Sequence, residues 1–190
     1  NVNDVPVAIS QTLTNAEDTS FAITLTGSDV DGPATNFVVV ATPTFGTLTG
    51  TAPNLTYQPN TNYFGADMFT FEVNDGSLTS AVATVTINLT NVNDAPIAIS
   101  QSLTNAEDVT FAVTLPATGI HGPFTNFTIL TTAEFGGLSG TVPNLTYHPE
   151  TNFFGEDGFT FSVNDGSLTS AVATISIALT NVNDAPIAIS

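Results

Sequence analysis

Residues 1–6 read Asn-Val-Asn-Asp-Val-Pro, and nearly the same stretch returns at residues 91–96 and at residues 181–186. The spacing is ninety residues both times, and about two thirds of the positions in 1–90 are identical in 91–180. A fixed period of this length is typical of tandem domains. We therefore divide the chain into a first repeat (1–90), a second repeat (91–180) and the linker and first strand of a third (181–190). We interpret it as a slice of a longer array.

The composition excludes several classes of partner. The chain has no Lys, no Arg and no Cys, and its 17 acidic residues give a formal net charge of -17. Nucleic-acid binding is excluded because it requires Lys and Arg to neutralise phosphate. Anionic membrane surfaces are disfavoured for the same reason, and no apolar run is long enough for direct membrane insertion. The hydrophobic fraction of 42% is nevertheless high enough for a packed core.

Strict alternation of apolar and outward-facing residues marks three strands of the first repeat, at 20–26, 67–74 and 81–90. A period of two is typical of half-buried strands in antiparallel sheets. Further strands are predicted at 5–13, 36–42, 48–50 and 54–58, with turn-forming Asn, Asp, Gly and Pro between them. No segment has a helical period. We predict an all-β fold with two tandem Greek-key β-sandwich domains of immunoglobulin-like size, about seven strands each, arranged end to end.

The acidic residues gather at the predicted ends of each sandwich. If the linker enters at the top and strands alternate in direction, all acids of 1–90 except Glu72 lie near one of the two ends. No Lys or Arg balances them, and clustered like charges repel unless a cation lies between them. Carboxylate and carbonyl oxygens in an irregular cage suit calcium better than magnesium. The alternative is that these residues only form turns, which Asp and Asn favour by themselves.

Five motifs together resemble the cadherin-like tandem repeats of giant bacterial surface adhesins of the RTX type. They are Asn-x-Asn-Asp-x-Pro at the junction, Glu-Asp in the first turn, Asp-x-Asp-Gly, Phe-Gly-x-Asp-x-Phe and Asn-Asp-Gly. The resemblance covers the whole chain and implies Ca2+ held between successive domains of an extracellular rod.

The resemblance also implies three sets of calcium ligands. Above the first repeat they are Asn1, Asn3, Asp4, Asp29, Asp31 and Asp75. At the seam between the repeats they are Glu17, Asp18, Asp67, Asn91, Asn93, Asp94 and Asp165. Below the second repeat they are Glu107, Asp108, Asp157, Asn181, Asn183 and Asp184.

The second repeat departs from this pattern in one loop. Asp29 aligns with Gly119 and Asp31 aligns with His121, so the seam between the repeats loses two carboxylates. Imidazole is a poor calcium ligand, and His121 is better interpreted as a solvated loop residue, as is His148. We expect this seam to bind fewer ions, or to bind them more weakly, and to be the more flexible joint.

Two functions remain after enzymatic chemistry is set aside. Nucleophile and base arrangements are not recognisable, and the paired acids lack the apolar niche that a glycosidase acid needs. The preferred function is a calcium-stiffened spacer or fibre segment of a large bacterial cell-surface adhesin, with neighbouring copies of the repeat as partners. The alternative is a calcium-dependent module that binds polysaccharide or like repeats on other molecules. Trp is absent and the Phe residues are expected to face inward, which favours the spacer.

Overall fold

The computed structural model describes residues 2–34, 36–120, 123–124 and 126–184. The chain divides into two compact units, Asn1–Val92 and Asn93–Ser190. Every described element is a β-strand, and the described residues include no helix that could cross a membrane. The last predicted segment, 181–190, is described only as far as Asp184, so its predicted strand lies outside the described residues.

Each unit contains nine described strands rather than about seven. In the first unit they are β1 (Val7–Ala8), β2 (Gln11–Ala16), β3 (Phe21–Thr24), β4 (Gly27–Ser28), β5 (Asn36–Ala41), β6 (Gly46–Thr51), β7 (Asn54–Pro59), β8 (Gly65–Asn74) and β9 (Ala83–Thr90). In the second unit they are β10 (Ile97–Ala98), β11 (Gln101–Ala106), β12 (Phe111–Thr114), β13 (Ala117–Thr118), β14 (Asn126–Thr131), β15 (Gly136–Thr141), β16 (Asn144–Pro149), β17 (Gly155–Asn164) and β18 (Ala173–Thr180).

Two features account for the larger strand count. The first predicted strand, 5–13, is two strands in the structure, and the short strand β4 was not predicted. β1 pairs antiparallel with the short strand β4, whereas β2 pairs parallel with β9. The backbone N–H of Ile9 donates to the carbonyl of Thr26 at 3.0 Å between these two pairings. The chain therefore changes partner after Ala8, and a strand that was continuous in the sequence pattern is divided by the change.

Two sheets form the sandwich of each unit. The larger sheet has the order β2-β9-β8-β5 in the first unit and β11-β18-β17-β14 in the second. The smaller sheet has the order β3-β7-β6 and, in the second unit, β12-β16-β15. On β8 the alternating residues predicted to face inward do so, since Phe69, Phe71 and Val73 are at most 1% exposed. The same pattern buries Phe159, Phe161 and Val163 on β17.

The parallel pairing of β2 with β9 decides where the acidic residues lie. Both strands run toward the same end of the first unit, with Ala16 opposite Thr90. The backbone N–H of Glu17 continues this pairing by donating to the carbonyl of Thr90 at 3.0 Å. The first turn and the linker after β9 are therefore neighbours, and Glu107 and Thr180 repeat the arrangement in the second unit.

Candidate functional site

An acidic cluster forms at the amino-terminal end of the first unit, and we call it the upper cluster. Its residues are Asn3, Asp4, Asp29, Asp31 and Asp75. The side-chain amide of Asn3 donates to Oδ2 of Asp75 at 2.8 Å, although 72 residues separate the two. The backbone N–H of Asp4 donates to Oδ2 of Asp31 at 2.7 Å. The linker is thus tied to two loops that lie far from it in sequence.

Asp75 is held in place by the turn that follows β8. Its Oδ1 accepts the backbone N–H groups of Ser77 at 2.6 Å and Leu78 at 2.8 Å. The hydrogen bond from Leu78, followed by those from Asn3 and Ser77, lowers the pKa of the Asp75 carboxyl below its usual value. This carboxylate is therefore ionised at neutral pH.

The second unit repeats the bond between the linker and the turn after its long strand. The side-chain amide of Asn93 donates to Oδ2 of Asp165 at 2.8 Å, and Asp165 Oδ1 accepts the N–H groups of Ser167 and Leu168. The bonds from Leu168, Asn93 and Ser167 lower the pKa of Asp165 as well. Asp94 lies partly buried in the linker, and Gly119 stands in place of Asp29. His121 lies outside the described residues.

The carboxyl-terminal end of each unit is organised by a buried glutamate. Glu17 is only 2% exposed, and its Oε1 accepts the backbone N–H of Val92 at 2.7 Å. Glu107 is equally buried, and its Oε1 accepts the side-chain amide of Asn181 at 3.0 Å and the N–H of Val182 at 2.6 Å. These two glutamates fix the start of the following linker to the domain. From the sequence both glutamates were predicted to lie in the first turn and to be calcium ligands, and their hydrogen bonds to the linker were not predicted.

The aspartates next to these glutamates each bind the backbone of the loop that precedes the long strand of their unit. Asp18 Oδ1 accepts the backbone N–H of Asn62 at 2.8 Å, and Asp108 Oδ1 accepts that of Asn152 at the same distance. Asp18 and Asp108 both have positive φ, of 57° and 61°, which Asp tolerates better than most residues. The turn conformation by itself therefore explains why Asp stands at these two positions. This agrees with the alternative that these acids only form turns.

Asp67 and Asp157 point into the interior of their units instead of toward an end. Asp67 is 5% exposed, and its two oxygens accept four hydrogen bonds. The donors are the N–H groups of Thr44, Phe45 and Met68 and the hydroxyl of Tyr57, at 2.7–3.0 Å. Four donors match the four lone-pair positions of a carboxylate, so no acceptor site is left for a cation. This differs from the prediction, which placed Asp67 and Asp157 among the calcium ligands.

Asp157 repeats the arrangement in the second unit. It accepts from the N–H groups of Glu134, Phe135 and Gly158 and from the hydroxyl of Tyr147. Burial by itself raises the pKa of the Asp157 carboxyl, but the bonds from Tyr147 and the backbone outweigh burial, so that its pKa is lowered. Burial, reinforced by the neighbouring carboxylate, raises the pKa of Tyr147, and Tyr57 behaves in the same way beside Asp67.

The hydrogen bonds between Tyr57 and Asp67 and between Tyr147 and Asp157 were not predicted from the sequence. The available signal was a Tyr at an inward position of one strand, ten residues before an Asp, in both repeats. That spacing spans two different strands and carries no local periodicity.

The other predicted ligands lie at the ends of the units. Asn91, Asn181, Asn183 and Asp184 are exposed there, and Asn1 lies outside the described residues. The oxygen donors gathered in the upper cluster suit a hard cation. Within the described residues, however, no three side chains of His, Asp or Glu are arranged to hold a metal ion. The side chains of the upper cluster would have to move closer together to coordinate a cation.

The family model for the bacterial Ig domain matches the chain twice, at residues 3–88 and 93–178. The chain belongs to the bacterial Ig domain family. No curated protein matches it.

Solved structures with a similar fold include cadherin ectodomains. PcdhgB3 EC1-4 is 14% identical with a TM-score of 0.56, and the match covers 94% of this chain and 50% of that one. The protocadherin GammaB4 extracellular domain is 16% identical with a TM-score of 0.49, over 92% of this chain and 35% of that one. The endo-fucoidan hydrolase MfFcnA4 is 22% identical with a TM-score of 0.40, over 94% of this chain and 29% of that one. At 14% identity, the likeness to PcdhgB3 EC1-4 shows the fold alone, and nothing is concluded from the two structures with TM-scores below 0.5.

Some aromatic side chains of this bacterial Ig pair are exposed, contrary to the expectation that the Phe residues face inward. Phe45 stacks on Tyr63 with ring centroids 4.1 Å apart, and Phe45 is 40% exposed. Phe154 in the second unit is 57% exposed. These residues lie in turns and loops, where the alternation of a strand does not determine direction. The inward prediction is right for the Phe residues of β8 and β17 and wrong for these loop residues.

A shallow cleft of about 320 Å3 lies beside the linker strand of the first unit. It is lined by Val5, Pro6, Val7, Ala8, Ser10 and residues 81–83. None of these side chains titrates, so the cleft offers no group for acid–base chemistry.

Proposed function

We propose that this pair of bacterial Ig domains is a structural repeat of a large bacterial cell-surface adhesion protein. In this proposal the repeat is extracellular, its partners are neighbouring copies of itself in the same chain, and it has no catalytic role. Ca2+ bound at the ends of each repeat makes the linker rigid.

The upper cluster carries this proposal. Asn3 and Asp4 of the linker contact Asp75 and Asp31 on two separate loops, and no Lys or Arg exists in the chain to neutralise the acids. A divalent cation would remove the repulsion between these carboxylates and would hold the linker against both loops. Asp4, Asp29, Asp31 and Asp75 would supply carboxylate oxygens to it, and Asn3 an amide oxygen.

The proposal is tested by titrating the chain with calcium in a calorimeter and by melting it with calcium and with EDTA. Extracellular modules bind calcium with dissociation constants of about 0.1–1 mM. At a tenfold excess of calcium over that constant, each site should add about 1.4 kcal/mol to the free energy of unfolding. We therefore expect the melting temperature to rise by several degrees in calcium.

Two variants with the same change of charge sharpen this test. Asp31→Asn removes one carboxylate from the upper cluster, whereas Glu72→Gln removes an acid of β8 that is not part of the cluster. Asp31→Asn should reduce the calcium stoichiometry or affinity, and Glu72→Gln should leave both unchanged. Identical melting curves in calcium and EDTA, or equal effects of the two variants, would refute calcium binding at the cluster.

The second candidate is a module that binds polysaccharide or like repeats on other molecules, and the exposed aromatic rings favour it. Aromatic faces stack on sugar rings, and Phe154 together with the Phe45–Tyr63 pair would supply such faces. Calcium-dependent retention on immobilised polysaccharide that is lost in Phe154→Ala would support this candidate over the spacer.

A further inference from the structure

The two units differ in the loop that follows their fourth strand, and two of the differing positions lie close together in the second unit. Asp29 of the first unit is replaced by Gly119, and Ala34 is replaced by Phe124. Compared with the first repeat, the second repeat therefore lacks the acid at position 119 and has a large aromatic ring five residues later, at position 124.

In the second unit the Phe124 ring packs on the end of the hydrophobic core. Phe124 lies against the buried cluster of this unit and contacts Phe127 edge to face, with ring centroids 6.5 Å apart and an interplanar angle of 83°. The same buried cluster includes Val163, and Ala117 packs on it as well. The first unit has Gly27 and Ala34 at the positions of Ala117 and Phe124, so it has far less apolar surface at this end.

Gly119 fits this arrangement because the ring occupies the space of its side chain. A Cβ built on Gly119 would lie 3.0 Å from Cε1 of Phe124 and 3.6 Å from the Cα of Pro96. The first contact is tighter than nine in ten real Cβ contacts, so a side chain at 119 would require the ring to move by a few tenths of an ångström. An acid at position 119 would therefore crowd the Phe124 ring at its observed position.

We infer that Phe124 determines which unit depends on calcium at its amino-terminal end. This inference rests on the proposed function, in which the upper cluster of the first unit takes Ca2+. In the second unit the Phe124 ring closes the core and replaces the acidic loop, so that this end is stable without a cation. In the first unit Ala34 cannot do so, and the same loop depends on the ion.

The first test needs no calcium. Phe124→Ala is compared with Phe154→Ala in EDTA, using the whole chain and hydrogen exchange read separately for the strands of each unit. Loss of a core-packed ring should make exchange in β14 and β17 about ten- to a hundredfold faster. Loss of the exposed Phe154 ring should change it less than about threefold. Phe124→Leu keeps most of the apolar volume and should restore most of the protection. Equal effects of Phe124→Ala and Phe154→Ala would overturn the inference.

The second test transfers the arrangement to the first unit with the double variant Asp29→Gly and Ala34→Phe. In EDTA we expect slower exchange in β5 and β8 than in the parent chain, and a smaller further slowing when calcium is added. Unchanged exchange in EDTA would overturn the inference. If calcium has no effect on the parent chain while Phe124→Ala still loosens the second unit, the calcium proposal fails. In that case only the stabilisation of the second unit by the packed Phe124 ring is supported.

Discussion

At the scale of single residues, the pairs Tyr57–Asp67 and Tyr147–Asp157 show how a chain without Lys or Arg stabilises a buried carboxylate, Asp67, and a half-buried one, Asp157. A charged group in a core needs compensation, which in many proteins comes from Lys or Arg. Here three backbone N–H groups and one hydroxyl provide it for each carboxylate. The donors come from a turn, from the next residue of the carboxylate's own strand and from a Tyr on the opposite sheet, so each carboxylate joins three parts of its unit.

The Asp157 carboxyl should make the stability of the second unit sensitive to acid. Its pKa in the folded chain is lowered, so folding favours the charged form. This contribution is fully present above the usual pKa of Asp, about 4, and is lost as the pH falls through the lowered folded value. Asp157→Asn should cost about 2–3 kcal/mol of unfolding free energy at pH 7 and progressively less below pH 4.

Urea unfolding of the second unit at several pH values measures this effect, with Glu156→Gln as the control. Glu156 is the exposed neighbour of Asp157, and its replacement makes the same change of charge. A pH profile for Asp157→Asn that runs parallel to that of the parent chain would show that this carboxyl does not carry the acid sensitivity.

At the scale of elements, the turn between β8 and β9 shows how a strand end positions a site residue. The backbone N–H of Ser80 donates to the carbonyl of Val73 at 2.9 Å, and Ser80 Oγ accepts the N–H of Val73 at 3.0 Å. Ser80 Oγ in turn donates to the carbonyl of Ala81 at 2.8 Å. The turn is thereby closed around Asp75, which keeps its carboxylate toward the linker. Ser170 makes the equivalent bonds in the second unit.

The edge strands β6 and β15 contain a glycine that the Tyr–Asp pair requires. A Cβ on Gly136 would overlap the ring of Tyr147, whereas a Cβ on the next residue, Gly137, would meet nothing within 4 Å. Gly136→Ala should therefore destabilise the second unit by about 1–3 kcal/mol, because the ring has to leave its bond with Asp157.

Gly137→Ala is the matched control in the same strand. It should be neutral or should stabilise by up to about 1 kcal/mol, since Ala restricts the unfolded chain more than Gly does. Chemical denaturation compares the two variants. If both glycines tolerate Ala equally, the ring does not need the space above Gly136.

At the scale of the whole molecule, charge of one sign dominates. The formal net charge is -17, and the chain has no Lys or Arg to balance it. Folding brings these charges closer together than they are in the expanded chain, so repulsion opposes the folded state. Monovalent salt should screen it without occupying a specific site.

In EDTA, raising NaCl from 10 mM to 100 mM should raise the melting temperature by a few degrees. The screening length falls from about 30 Å to about 10 Å over this range, which weakens repulsion between exposed acids. The triple variant Asp29→Asn, Asp31→Asn and Asp75→Asn should show a smaller rise in melting temperature, because it lacks three clustered charges. A melting temperature that does not respond to salt would mean that repulsion is a minor term in the stability of this chain.

The sequence by itself determined the two tandem repeats, the all-β class and the inward faces of the long strands. These follow from a fixed period and from alternation, which are local or repetitive signals. It also placed Asp4, Asp31 and Asp75 at one end of the first repeat, because strand direction alternates along the chain. Only the tertiary structure decided that β1 and β2 have different partners, that Tyr57 bonds to Asp67, that Glu17 is buried, and that Phe124 fills the space beside Gly119. Each of these features depends on which side chain of one element packs against which residue of another. Packing between strands that are far apart in sequence sets those contacts, and the residue pattern within a single strand does not reveal them.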